Sequence, residues 1–174
     1  MLKKARFLVV TGALMLMGFH GSVEAESSSR PFNGTLRGEV TFPFVGYDEC
    51  PASDIFFGGL RTDSEATGTV SHLGRTVMTS RHCTPAGAAL EGGEMTLVAA
   101  NGDEVYIAYA GTAPPPGPDG VIVVSVDFDI VGGTGRFENA TGGGEAIAYV
   151  MFEGFGDPSW PATWVWKGAM IGYS

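Results

Sequence analysis

Residues Val121 to Glu153 constrain the fold more than any other stretch of this chain. They hold an alternating apolar run, the glycine-rich turn Gly132-Gly133-Thr134-Gly135-Arg136-Phe137, a triple glycine at 142–144 and a second alternating run. Alternation with a period of two puts one apolar face on a half-buried strand, so the segment predicts two strands joined by a tight connection. Ile122, Val124, Val126, Phe128 and Ile130 make the apolar face of the first strand. Asp127 and Asp129 sit two apart on the other face, close enough to couple as an acid/base pair, but opposite so pure an apolar stripe they read as solvated surface. Gly132, Gly133 and Gly135 permit backbone angles closed to other residues, and Thr134 is placed to cap one helical turn running to about Ala140. Phe137 and Ala140 would then face the same way and plug a barrel end. The three glycines at 142–144 let the chain reverse into the next strand. A dinucleotide site is excluded, because its third glycine would be Glu138 and no long helix follows.

The remainder extends the same pattern. Of the 27 glycines, 24 lie beyond residue 25, spread rather than clustered. Each costs about 1 kcal/mol in a helix interior, which argues against long helices. Candidate strands run over 35–45, 54–61, 66–73, 75–83, 94–100, 104–111, 121–131, 145–153 and 163–172. Eight or nine short strands fit a closed barrel or a sandwich. Asn101-Gly102 predicts a type I′ hairpin turn between two of them. The run Ala113 to Gly120, with Pro114-Pro115-Pro116 and Pro118, cannot donate to a ladder and predicts a stiff surface loop. Glu26 to Arg30 is polar and predicts a frayed start.

The N-terminus reads as a targeting segment over residues 1–25: Lys3, Lys4 and Arg6 precede an apolar run from Phe7 to Phe19, and Val23-Glu24-Ala25 is a cleavage site. That run is shorter than the roughly 20 residues a spanning helix needs. Cleavage after Ala25 leaves one domain, residues 26–174, secreted or periplasmic and not membrane-bound. It also removes three basic residues and one acidic, so 10 basic and 19 acidic residues become 7 and 18, a net charge of −11. Such a balance argues against nucleic acid as a partner. Cys50 and Cys83 are the only cysteines. An oxidising compartment makes a disulfide between them the expectation, with a thiolate at Cys83 beside Arg81 and His82 as the alternative.

Residues 129–142, Asp-Ile-Val-Gly-Gly-Thr-Gly-Arg-Phe-Glu-Asn-Ala-Thr-Gly, resemble the G-G-T-G-[KR]-F-x-x-A-x-G motif of the allene oxide cyclase and dirigent barrels. The run 68–74 and the hairpin 97–111 look like those of secreted bacterial proteins of the same group. The resemblance implies a single eight-stranded antiparallel β-barrel, calycin-like, with few or no helices, an apolar lumen and, in plant members, a trimer. It carries fold rather than chemistry, because the groups that steer the plant reactions lie on other strands and have no matching residues here.

The remaining constellations weigh as follows. His72 and His82 are separated by about 33 Å of strand, with no third ligand in view, so no metal is assigned. Ser71-His72 lacks the elbow of a nucleophilic serine. Arg75 and Arg81 share a face with Leu73, Val77 and Thr79 and read as edge or rim charges rather than an anion clamp. Trp164 and Trp166 share a face with Met170, and with Phe128 they are the candidates to line a ligand site. No cofactor is implied. Three functions follow: binding of a small apolar molecule in the lumen, a cyclase or isomerase that acts by orienting an apolar substrate, and a structural or assembly protein with a filled barrel, as a dimer or trimer. A buried acid or base in the lumen would favour the second, and a packed interior with an apolar exterior patch the third.

Overall fold

Eight antiparallel strands follow one another around a closed barrel, each hydrogen-bonded to its sequence neighbours and the last to the first. The strands are β1 Arg30–Thr41, β2 Leu60–Val70, β3 Gly74–Thr84, β4 Ala89–Val98, β5 Glu104–Thr112, β6 Val121–Gly133, β7 Thr141–Met151 and β8 Ser159–Gly172. This computed structural model describes residues 28–43, 50, 60–84, 89–154 and 156–174. Residues 1–25, read above as a targeting segment, and positions 44–45 and 54–59 of two candidate strands lie outside the described residues. The antiparallel barrel that the sequence predicts is therefore the fold, and its helical content among the described residues is one 3-10 turn, Gly135–Phe137. No described helix is long and apolar enough to cross a membrane.

Closure comes from β1 pairing with β8, from Arg30 opposite Ile171 to Thr41 opposite Ser159. Inward positions alternate with outward ones on every strand, as a barrel requires. On β6 the pattern is the predicted one, with Phe128 and Ile130 buried and Asp127 and Asp129 exposed.

Several expectations are corrected. The candidates 54–61 and 66–73 end and begin within β2, because Thr62 and Ser64 continue the inward phase that the polar composition of 62–65 hid. Strand β1 begins at Arg30, five residues before the candidate strand, so Arg30 is ladder rather than frayed chain. The triple glycine belongs to β7, paired with Phe128 through Ile130, rather than to a free reversal. At the Asn101-Gly102 turn, Gly102 takes φ 90° while Asn101 keeps a negative φ. Type I′ needs both positive; the observed hairpin has three loop residues, closed by Ala99 N–H donating to Asp103 O at 2.8 Å. Met170 points outward instead of joining Trp164 and Trp166, since Gly168 at φ 80° lies in an irregularity of the β1–β8 ladder beyond which the burial phase reverses.

The two ends of the barrel differ. One carries short turns: 71–73, 99–103 and the glycine turn with its 3-10 segment. The other carries the long connections, the proline-rich run 113–120 and the disulfide. The Cys50–Cys83 bond forms as expected, with a Cα–Cα distance of 5.5 Å.

Candidate functional site

The glycine motif closes the turn end. Gly135 has φ 56°, which a side chain would strain, and a Cβ on Gly133 would meet the Glu104 carbonyl oxygen at 2.0 Å. Thr134 does not cap the turn with its side chain; its Oγ1 instead accepts from Glu104 N–H at 2.9 Å and ties the motif to β5. Arg136 Nη2 donates to the His72 carbonyl oxygen, and its guanidinium lies 3.8 Å from Asp103 Oδ2 and 4.7 Å over the Phe137 ring. Phe137 and Ala140 are buried and plug the barrel as predicted, with Phe137 edge-on to Tyr173 at 5.0 Å. Ser71 and His72 are turn locks: Ser71 Oγ–H and His72 Nε2–H each donate to the Pro31 carbonyl oxygen, at 3.0 Å. Below the plug Phe32, Leu36, Leu97, Val105 and Ile171 have essentially no exposed surface. A side chain with no surface borders no void that a water-sized sphere can enter, so this half of the lumen is solid.

Phe128, Trp164 and Trp166, the predicted ligand-lining residues, are all buried and face inward. Trp166, at 2 % exposure, lies in the solid part, opposite Gly34 on β1 and Ala146 on β7. Its indole N–H has no acceptor, at a cost of roughly 1–3 kcal/mol. Trp164 lies two residues closer to the loop end, paired with Leu36 and Ala148, and Phe128 packs 6.3 Å from Phe32. The three belong to one apolar cluster with the rest of the core.

Towards the loop end the lumen acquires two unlike walls. Val40, Val150, Ala162 and Trp164 are buried on the apolar wall, and Ile122, Val124 and Val126 pack against them while keeping part of their surface exposed. Phe42 and Phe152 flank Trp160 at 4.4 and 4.9 Å and close that side of the rim. The facing wall is polar and comes from β2, β3 and β5: Thr62, Ser64, Ser80, His82 and Tyr109. Thr62 and Ser64 are 5 % exposed, and neither hydroxyl is shut away without a partner, for Trp166 Nε1 is the one such buried atom among the described residues.

His82 and Tyr109 are the feature that sequence reasoning missed. His82 Nδ1 lies 2.9 Å from Tyr109 Oη, the rings meet edge-on at 5.8 Å, and Tyr109 Oη–H donates to the Arg81 carbonyl oxygen at 3.3 Å. A phenol has one proton, and its oxygen accepts from His82 Nδ1–H or donates to Nδ1 according to the imidazole tautomer. Burial lowers the His82 pKa to about 4, partly countered by the Asp63 carboxylate, so the imidazole is neutral at pH 7. Burial likewise raises Tyr109 to about 12, against a hydrogen bond from Ser80 and with a small push from Asp63. The signal available was the phase of β3: Thr76 and Met78 share a face with Ser80 and His82, opposite the outward Arg75, Val77, Thr79 and Arg81.

The β3–β4 ladder shifts register between Arg81 and Cys83, and the β4–β5 ladder between Leu90 and Gly93. Bulges of this kind occur at barrel rims and beside sites, where they re-aim side chains. Gly93 is required for space, since a Cβ there would lie 2.5 Å from the Tyr109 ring. Over the bulges opens a hollow of about 440 Å³ lined by Arg61, Arg81, His82, Gly92, Glu94 and the disulfide. Its charges are paired, Arg61 with Asp63 at 2.7 Å and Arg81 with Glu94 at 2.8 Å. A larger groove of about 550 Å³ crosses the outer faces of β8, β1 and β2, far from any perturbed group. Of the two, the smaller hollow is the better candidate because His82 borders it.

His72 and His82 lie at opposite ends, and no three metal-ligating side chains come together among the described residues. The fold and site together define an eight-stranded antiparallel barrel, solid at one end, with a two-walled mouth at the other. Neither a known protein family nor a curated protein matches the chain.

Proposed function

We propose that the protein binds one small, largely apolar molecule in the loop-side half of its barrel. The observation that carries this reading is the contrast within one lumen: side chains without exposed surface at the turn end, and inward-facing Ile122, Val124, Val126 and Ser80 only partly covered at the other. Eight strands enclose a space that is either filled by side chains or holds one small ligand. Here the two conditions share one barrel, with Phe128 and Trp164 at the floor of the open part and Trp166 beneath it.

The test is titration of the disulfide-bonded protein with N-phenyl-1-naphthylamine, whose fluorescence rises in apolar surroundings, beside a native mass spectrum of the protein as purified. Saturable one-to-one binding, or a mass excess lost on denaturation, supports the reading. A bare protein that leaves the dye dark defeats it.

A second reading, a cyclase or isomerase that orients an apolar substrate, draws support from the half-buried His82 and its Tyr109 contact on the polar wall. The filled-barrel reading draws on the solid turn half and on the outward Val123, Tyr149 and Met151, adjacent on β6 and β7. Membership of the allene oxide cyclase and dirigent group, with export and removal of residues 1–25, completes the proposal. It is supported by the barrel, by the fit of the glycine motif as a plug, and by a disulfide compatible with an extracellular or periplasmic location. N-terminal sequencing of the mature protein should begin at Glu26.

A further inference from the structure

We infer that the outer face of β6, β7 and β8 docks a second copy of this chain, about a two-fold axis running along the seam between β7 and β8. This contact is independent of what the lumen holds. Outward positions recur at every second residue, and the strand pairing lays them in rows: Val121 beside Met151, then Val123, Tyr149 and Thr163, then Ser125, Ile147 and Val165. Val123, Tyr149 and Met151 are 44, 43 and 45 % exposed, and no charged side chain stands in these rows. Three strands wide and three outward positions long, the field measures about 14 by 20 Å, or ~300 Å² in plan. That suits the apolar middle of an interface covering about 800 Å² on each partner.

Charge selects both the occupant and its orientation. The chain has a formal net charge of −9, so two copies repel across most of their surface and approach best through an uncharged field. The next row towards the turn end is charged. Asp127 and Glu145 lie directly opposite each other on β6 and β7, both exposed and in no ion pair among the described residues. Like charges placed this way destabilise a sheet unless a cation joins them. Lys167 on β8 is exposed and equally unpaired, and it follows Trp166, which pairs with Ala146, so Lys167 and Glu145 flank the seam at one level. A two-fold axis along the seam exchanges its two sides. It sets Glu145 against Lys167 of the partner subunit, twice over, and Ile147 against Val165 of the partner subunit. An axis running across the strands would press Glu145 onto Met151 of the partner subunit and bury a carboxylate without a cation. The seam axis is the one that joins apolar to apolar and acid to base.

The experiment is sedimentation equilibrium of the intact, disulfide-bonded protein over a concentration series reaching about 0.5 mM, where even the weakest specific contacts are populated. A monomer–dimer equilibrium is expected. Tyr149→Lys puts a charge in the middle of the field on a side chain that already meets solvent, and should weaken the dimer about tenfold or more. Lys167→Glu should weaken it roughly five- to tenfold through two lost pairs, and adding Glu145→Lys should restore it. A monomer at every concentration overturns the proposal, and so does a trimer, whose interfaces join unlike patches. A dimer indifferent to Tyr149→Lys lies on another face and overturns it too. So does a double variant that stays as weak as Lys167→Glu, because the seam axis requires the exchanged charges to meet. Should Tyr149→Lys not fold, the exchange of the two exposed charges still decides.

Discussion

The two ends of this barrel are built from the same eight strands and solve opposite problems. At the turn end Phe137 enters from the glycine motif, and Phe32, Leu36, Leu97, Val105 and Ile171 fill the space beneath it with no surface left over. At the loop end hydroxyls replace methyls on one wall, and Ile122, Val124 and Val126 on the other keep part of their surface. The lesson concerns the division of labour: close packing supplies stability where the connections are short, and the end with long connections is left free to present a polar pair.

The largest effect expected is at the plug. Phe137→Ala removes a fully buried ring whose neighbours are held by the Thr134 and Arg136 hydrogen bonds, so collapse around the cavity is limited. Chemical denaturation should show a loss of about 3–5 kcal/mol. A loss below about 1 kcal/mol would mean that the plug is dispensable and the turn end is not where the barrel is held.

Next in size is the disulfide. Replacing Cys50 and Cys83 together by serine frees a loop of 33 residues in sequence separation, and the chain-entropy model gives about 3–4 kcal/mol. The double variant should unfold at correspondingly lower denaturant concentration, and its dye affinity reports separately whether the rim hollow survives. A stability loss equal to that of Phe137→Ala with dye binding intact would place the bond with the solid half in its role.

How much of this was legible in the sequence differs between the ends in the same way. The glycine motif, the purity of the Ile122-to-Ile130 stripe and the inward tryptophans read correctly, because apolar alternation and glycine chemistry are local signals. The polar wall did not. Thr62 and Ser64 interrupt the apolar pattern of β2, so one strand looked like two, and His82 looked isolated because its partner Tyr109 lies 27 residues further on, on a strand it does not pair with. Bulges add to this: the reversal near Gly168 turned Met170 outward, and register shifts are set by tertiary closure.

The third prediction uses pH to separate the ends. His82 has a folded pKa near 4 against 6.5 for the unfolded chain, so the unfolded state takes up its proton first as the pH falls. Stability contributed by the neutral imidazole is complete above about pH 6.5 and is lost down to about pH 4, by about 3 kcal/mol in all. The measurement is the difference between wild-type and His82→Leu curves, in which everything the two proteins share cancels. Coincident slopes between pH 4 and 6.5 would mean that His82 is solvated in the folded protein and that the loop end has no desolvated wall.

The smallest effect gives the sharpest comparison, because it uses one chemical change at both ends. Val105 and Val124 both face the lumen; the first has no exposed surface and the second is only partly covered. Val105→Ala therefore removes two methyl groups from a site that water cannot reach and should cost about 2 kcal/mol or more. Val124→Ala removes the same groups from a wall that already borders open space, creating no new cavity, and should cost about 1 kcal/mol or less. Equal costs would mean that the loop half is packed as tightly as the turn half, and a lumen filled throughout has no room for a guest. A difference of the expected size, joined to weakened dye binding in Val124→Ala alone, ties the spare surface to the ligand and not to slack in the fold.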